Sequence, residues 1–261
     1  MKPLRLLQIT DCHLGNHPGE VLLGMNTDQS LYDVLDMVQA QEAPDMLLAT
    51  GDISNDGGAP SYERFTQIIH KYFPNTPFAW LPGNHDDPLN MDQVTMLPIE
   101  AHYRLGDWNL IFLDSRIPME EGGELGYLEL GRLDRELAKN KDKPAMIFMH
   151  HQPVPVGSEW LDGYVLKNAK AFFSVLDRHK NVRGVFWGHV HQEFESERKG
   201  VKLFATPSTC VQFAPNQKLF KVDRLMPGYR VIDLYANGRF STAVKRIKNK
   251  IYTIDFASTG Y

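Results

Sequence analysis

Residues 4–13 read LRLLQITDCH, an apolar run that stops abruptly at a polar cluster. Leu4 to Ile9 has the length and composition of a buried strand, and Asp11-Cys12-His13 follows it directly. The same form recurs four times. Met46 to Thr50 leads into Gly51-Asp52, and Phe78 to Leu81 leads through Pro82 into Gly83-Asn84-His85-Asp86. Ala145 to Met149 leads into His150-His151-Gln152-Pro153, and Val182 to Trp187 into Gly188-His189-Val190-His191. Amphipathic stretches separate these runs. Asp28 to Gln41 has helical spacing at Leu31, Val34, Leu35 and Val38, with Asn26 or Thr27 as cap. Ser61 to Tyr72 puts Phe65, Ile68 and Ile69 on one stripe, and Leu128 to Lys139 and Asn168 to His179 read as further helices.

Antiparallel signals accumulate later in the chain. Gly106-Asp107 sits between His102–Leu105 and Trp108–Leu113 like a hairpin turn. Glu193 to Glu197 and Lys202 to Ala205 flank a turn, and Asn237-Gly238 joins Tyr229–Tyr235 to Arg239–Val244. The expected class is α/β, with a mixed sheet or two packed sheets and helices outside. No linker, repeat or low-complexity stretch divides the chain. Residues 1–261 are therefore expected to form one domain, with a β-hairpin extension from about 228 to 261.

Bulk properties narrow the function. A chain of 261 residues with 43% hydrophobic content can bury a sizeable core. A net charge of -4 argues against binding a nucleic-acid polymer, which needs a basic surface. Lys245, Arg246, Lys248 and Lys250 form one basic cluster, read as a solvated face. Cys12 and Cys210 are too few for a disulfide framework and fit a reducing compartment. With no signal-peptide pattern and no long apolar run, a cytoplasmic protein without membrane contact is expected.

Ligands of open α/β sheets bind beyond the carboxyl ends of the strands, so the five clusters have a physical reason to converge. Alternate residues of an extended segment share a face, which would let Asp11 act with His13 and His189 with His191. Carboxylate, imidazole and amide donors suit Fe, Mn, Zn or Co. No cysteine is required, which argues against a structural zinc cage. Seven candidate ligands (Asp11, His13, Asp52, Asn84, His150, His189 and His191) exceed what one tetrahedral ion needs. Two ions sharing one carboxylate would use them all. Taken singly each piece has a bland reading: Gly-Asp as a turn, Asn84 as a cap, His150 as a loop histidine. Their joint placement at five strand ends is what carries the metal reading. A phosphate loop, an HExxH helix and a GxSxG elbow are absent, and Asp56-Gly57 lacks the rest of a calcium loop.

Together the five clusters resemble the calcineurin-like metallophosphoesterase superfamily. The segments LQITDCHLG, LLGMNT, WLPGNHDDP, HHQPVPVGSEWLDGYVLKN, GHVHQE and ATPSTCVQF are similar to the bacterial class III cyclic AMP phosphodiesterases. So are PGYRVIDLYANGRF and the ending Ser258-Thr259-Gly260-Tyr261. Gln152 departs from relatives that carry proline or histidine there, beside a ligand rather than at one. The resemblance implies a four-layer fold of two packed mixed sheets flanked by helices. It implies one ion on Asp11, His13 and His191, a second on Asn84, His150 and His189, and Asp52 bridging them. Iron or manganese is the implied metal, with zinc or cobalt as further candidates.

The implied reaction is hydrolysis of 3′,5′-cyclic AMP to 5′-AMP through a metal-bridging hydroxide, which would lower cellular cyclic AMP. His85 is the implied catalytic group, assisting the leaving oxygen without binding metal. His13, Asp52, Asn84, His85 and His191 are the implied phosphate and AMP contacts. His151 has no role in the pattern and reads as a supporting residue. Asn16, His17 and the segment from Trp160 to Asn168 are placed to hold the base, although a surface loop is the better reading. Glycerophosphodiester or broad phosphodiester hydrolysis is the alternative within the family, and a non-catalytic binding protein the alternative outside it. A monomer and a homodimer both remain open.

Overall fold

The computed structural model describes residues 2–41, 43–94 and 101–260. Met1 and Tyr261, the ends of the expected domain, lie outside the described residues. The elements run β1 (Leu4–Ile9), β2 (Val21–Leu22), β3 (Met25–Asn26), α1 (Thr27–Gln39), β4 (Met46–Thr50), α2 (Ala59–Tyr72), β5 (Phe78–Leu81) and α3 (Pro88–Val94). They continue with β6 (His102–Leu105), β7 (Trp108–Phe112), α4 (Tyr127–Lys139), β8 (Ala145–Phe148), α5 (Glu159–Asp162), α6 (Ala169–Leu176) and β9 (Val182–Trp187). Four strands close the described chain: β10 (Phe194–Arg198), β11 (Val201–Ala205), β12 (Gly228–Leu234) and β13 (Phe240–Arg246).

Two mixed sheets pack face to face. The first has the order β13-β12-β1-β4-β5 and the second β10-β11-β9-β8-β7-β6. β1, β4 and β5 run parallel, as do β7, β8, β9 and β11. Side-chain alternation explains the layering. Leu6 points into the core between the sheets, with Leu48, Leu81, Phe148, Phe186 and Ile232. Its neighbour Leu7 points to the other face, against Leu31, Leu35 and Phe65 of α1 and α2. The second sheet buries Ile147 and Val185 against Leu133 and Phe172 of α4 and α6. Both faces of the central strands are buried, which is why they read as unbroken apolar runs. Four layers result, as the family resemblance implied.

Strands β1, β4, β5 and β9 have the expected bounds. Asn26 caps α1 by accepting from Gln29 N at 2.9 Å. The C-terminal hairpin is not peripheral: β12 pairs antiparallel with β1, Leu7 opposite Val231. No helix among the described residues is long and apolar enough to cross a membrane.

Candidate metal centre

Asp11, Asp52 and Asn84 extend from β1, β4 and β5 of the first sheet. His150, His189 and His191 extend from β8 and β9 of the second. Parallel strands deliver them to one end of the sandwich. Asp11 N bonds Gly51 O and His13 N bonds Asp52 O, both at 2.9 Å, so the first two loops travel together. Asp11, His13, Asp52, His150, His189 and His191 are all buried, while Asn84 and His85 reach the surface of a cleft.

The backbone there is not extended. Asp11, His13, Asp52, His189 and His191 have φ between 47° and 64°. Non-glycine residues seldom adopt this left-handed conformation, and such strain gathers at functional sites. Asp11 does meet His13, but through successive left-handed turns and not through strand alternation. His189 and His191 part company: His191 joins Asp11 and His13, whereas His189 joins His150. Glycines make room for these turns. A Cβ on Gly51, itself at φ 93°, would collide with His150 Nδ1, and one on Gly188 would collide with Thr10 Oγ1.

Hydrogen bonds set the tautomers. His150 Nδ1 lies 2.8 Å from Thr50 O, and His191 Nδ1 lies 2.8 Å from Val211 O. Each Nδ1 must donate to its carbonyl, so either ring, when neutral, turns an Nε2 lone pair inward. Around these nitrogens lie carboxylate and amide oxygens and a further imidazole nitrogen. His191 Nε2 is 3.4 Å from Asp11 Oδ1 and 3.2 Å from His13 Nε2. His150 Nε2 is 3.2 Å from Asp52 Oδ2 and 3.1 Å from Asn84 Oδ1. Buried His189 Nε2 has no hydrogen-bond partner among the described residues. Convergent acceptors at such distances repel unless a positive charge lies between them. The donor set of imidazole, carboxylate and amide oxygen therefore fits cations, and it falls into two neighbouring groups. Asp52 touches both: its Oδ2 is 3.8 Å from His13 Nε2 as well as 3.2 Å from His150 Nε2.

Protonation agrees with this picture. Burial holds His13 and His189 well below the usual imidazole range, leaving neutral rings with lone pairs. Burial also acts downward on His150, but the Asp52 carboxylate outweighs it and lifts the ring to about 9. Burial acts upward on Asp52, yet His150 and then His85 hold it well below the carboxylate range. A proton on His150 thus supplies the positive charge that the acceptors demand.

His85 groups with His13 and Asp52, all within 4.8 Å by their ligand atoms. Its half-exposed position on the cleft wall sets it apart from the buried rings. His85 N donates to Asp52 Oδ1 at 2.9 Å, and its Nδ1 donates to Asn55 O at 2.8 Å. His151 falls near His150 and His189, but both of its nitrogens are engaged, by Ser115 Oγ at 2.8 Å and Glu121 O at 3.2 Å. Burial, then His150, lowers it to about 3. These bonds suit a residue that supports its neighbours.

Asp86, the last residue of the Gly83-Asn84-His85-Asp86 cluster, holds the loops of the site together. Its carboxylate accepts from Ile53 N, Ser54 N, Gly83 N and Tyr62 Oη at 2.8–3.2 Å, clamping the loops that carry Asp52 and Asn84. Burial and the Asp52 charge push it up to about 6, so it is ionised at neutral pH. Phe213, also unforeseen, stacks on His191 with ring centroids 4.2 Å apart. Asn16 bonds Asp56 at 2.6 Å, on the loop after β4.

The cleft beside the cluster has a volume of about 380 Å³. Asn84, His85 and His189 form one part of its lining, and Trp160, Tyr164 and Phe220 another. The calcineurin-like phosphoesterase family matches residues 4–193. A 3′,5′-cyclic adenosine monophosphate phosphodiesterase CpdA of Pseudomonas aeruginosa is 40% identical, covering 98% of this chain and 94% of that protein. A 3′,5′-cyclic-nucleotide phosphodiesterase of Nostoc sp. is 36% identical, covering 94% and 93%. A dimetal phosphatase from Danio rerio has the same fold, with a TM-score of 0.69, 15% identity, and coverage of 97% and 99%. By the extent of the family match and by these full-length relatives, the chain belongs to the calcineurin-like phosphoesterase family.

Proposed function

We propose that this protein hydrolyses 3′,5′-cyclic AMP to 5′-AMP. The observation that carries the phosphoester chemistry is the convergence of buried acceptors on one cleft. The nucleotide is supported by full-length similarity to proteins named as cyclic AMP and cyclic-nucleotide phosphodiesterases. Asp11, His13 and His191 would hold one cation, and Asn84, His150 and His189 the other. Asp52, which reaches a member of each group, would be shared. Two bound divalent ions, iron or manganese in our reading, neutralise phosphoryl charge and bring the pKa of water from about 15.7 to about 7.

The chain's own groups do the rest. His13, Asp52, Asn84 and His191 fix the phosphate end against the cleft. His85, its Nδ1 donating to Asn55 O, would as an imidazolium present Nε2–H to the departing 3′ oxygen and give it that proton, returning to the neutral ring. Water adds across the phosphorus–O3′ bond, leaving the 5′ monophosphate and a free 3′ hydroxyl. We read residues 1–261 as one catalytic domain in which both sheets supply the site. Buried free thiols at Cys12 and Cys210 favour a cytoplasmic setting.

One assay tests the reading. Manganese- or iron-loaded protein is incubated with cyclic AMP, cyclic GMP and a glycerophosphodiester, and products are separated by chromatography. Release of 5′-AMP is expected. Turnover of the glycerophosphodiester with no 5′-AMP would move the substrate elsewhere in the family.

A further inference from the structure

A cleft built for an anionic phosphodiester carries two carboxylates on its wall, Glu120 and Glu121. A carboxylate repels phosphate, so its presence calls for a reason at the other end of the substrate. Glu120 has one outside the cleft, an ion pair with Lys167. Glu121 has no ion pair among the described residues. Instead its side chain faces the Tyr164 hydroxyl and raises the tyrosine's pKa. An ionised carboxylate offers about four lone-pair sites, so one donor leaves it with accepting capacity.

Glu121 is also held in place. Its carbonyl oxygen accepts from His151 Nε2 at 3.2 Å, and Ser115 Oγ donates to His151 Nδ1 at 2.8 Å. Gly123 lets this loop close on the imidazole, because a Cβ there would strike the His151 ring. Tyr164 in turn packs edge-on to His189, with centroids 6.0 Å apart. Buried His151 thus ties the Glu121 peptide to the strand end that carries His150. Trp160 and Phe220, centroids 5.1 Å apart, add an aromatic face to the same cleft.

A 3′,5′-cyclic nucleotide has three chemically distinct parts. The phosphodiester is anionic, the base is flat, and the neutral donors that remain are the 2′ hydroxyl and the base's amine. We propose that Glu121, braced by Tyr164 and carried on the His151-anchored loop, is the specificity-determining acceptor for a neutral donor of the nucleoside, with the base lying against Trp160 and Phe220. This rests on the cyclic-nucleotide reading of the same cleft. The carboxylate then favours nucleotides over phosphodiesters that offer no donor.

The test compares metal-loaded wild type with Glu121→Gln, a change at an exposed residue. kcat/KM is measured for cyclic AMP and for bis(p-nitrophenyl) phosphate, which has no nucleoside donor. The cyclic AMP to aryl ester ratio should fall by about tenfold or more, mainly through KM. Tyr164→Phe should move the ratio in the same direction by less. Two analogues identify the donor: 2′-deoxy cyclic AMP and cyclic IMP, which lacks the amine. Whichever analogue lacks the recognised group should lose little further activity in the variant. A ratio unchanged within about twofold, or equal losses on cyclic AMP and both analogues, would overturn the assignment. Wild-type protein that cleaves the aryl ester but not cyclic AMP would remove the cyclic-nucleotide reading itself, and the assignment with it.

Discussion

His85 lines the cleft with its backbone N–H bound to Asp52 and its Nδ1 bound to Asn55 O, so the ring is held by its Nδ1 edge. That geometry sets the proposed proton donor apart from the buried candidate ligands around it. We predict that His85→Ala lowers kcat on cyclic AMP by about 10²–10⁴-fold while two metals per chain are retained. Metal analysis beside turnover decides the matter, and activity close to wild type would remove the role. Asp52 is a different kind of residue, since its carboxylate reaches His13 and His150 at once. Asp52→Ala should abolish activity and weaken both cations together. A variant that still binds two metals tightly would contradict a shared ligand. These two experiments also separate chemistry from assembly: the first should leave the metal content intact, the second should not.

At the level of elements, Asp86 joins three of them: the loop after β4, the loop after β5, and Tyr62 of α2. Asp86→Ala would orphan several buried donors, and each costs about 1–3 kcal/mol when left unmade. We expect the metal-stripped variant to lose at least about 2 kcal/mol by urea denaturation, since other donors can relax toward water. A loss under half of that would mean the clamp is dispensable. Asp86 also marks what a sequence can and cannot disclose. Its motif was visible, but its role depends on contacts with Ile53 and Ser54, more than thirty positions away. The strands were legible because both of their faces are buried and the apolar runs are unbroken. The candidate ligands were legible because each lies within a few residues of a strand end. Short elements were not: α3 spans Pro88–Val94 and buries only Met91, too little to show a period. Helix α2 starts before the expected Ser61, at Ala59, because Pro60 fits a first helical turn. Left-handed φ values at Asp11, His13 and Asp52 were hidden as well, since no glycine marks them. The wall formed by Glu121, Tyr164 and Trp160 needed the fold, which brings separate loops to one cleft.

Across the whole molecule, the proposed cations do more than chemistry, because each draws ligands from both sheets. Asp11 and His13 follow β1 of the first sheet while His191 follows β9 of the second. Asn84 likewise follows β5, and its partners His150 and His189 follow β8 and β9. Metal held in this way would fasten the open end of a sandwich that is otherwise joined by the apolar layer of Leu6, Leu48, Phe148 and Phe186. A ligand that binds only the folded state stabilises it by about 2.7 kcal/mol at a hundred times its Kd. Chelation should accordingly lower Tm, and hydrogen exchange should rise at residues 10–14, 51–54 and 188–192. Strands β1, β4 and β8 should stay protected, because their partners are strands and not metal. Binding should also depend on pH, with a sign set by His150. In the metal-free protein this ring holds a proton up to about pH 9, because the Asp52 carboxylate outweighs burial. A cation must displace that proton, so apparent affinity should rise with pH below about 9, by about tenfold per unit for one proton released. Calorimetric titration with manganese at two pH values, in buffers of different ionisation enthalpy, counts the protons directly. Affinity that is flat with pH, or that falls as pH rises from neutrality, would show that His150 is not displaced and does not bind the metal.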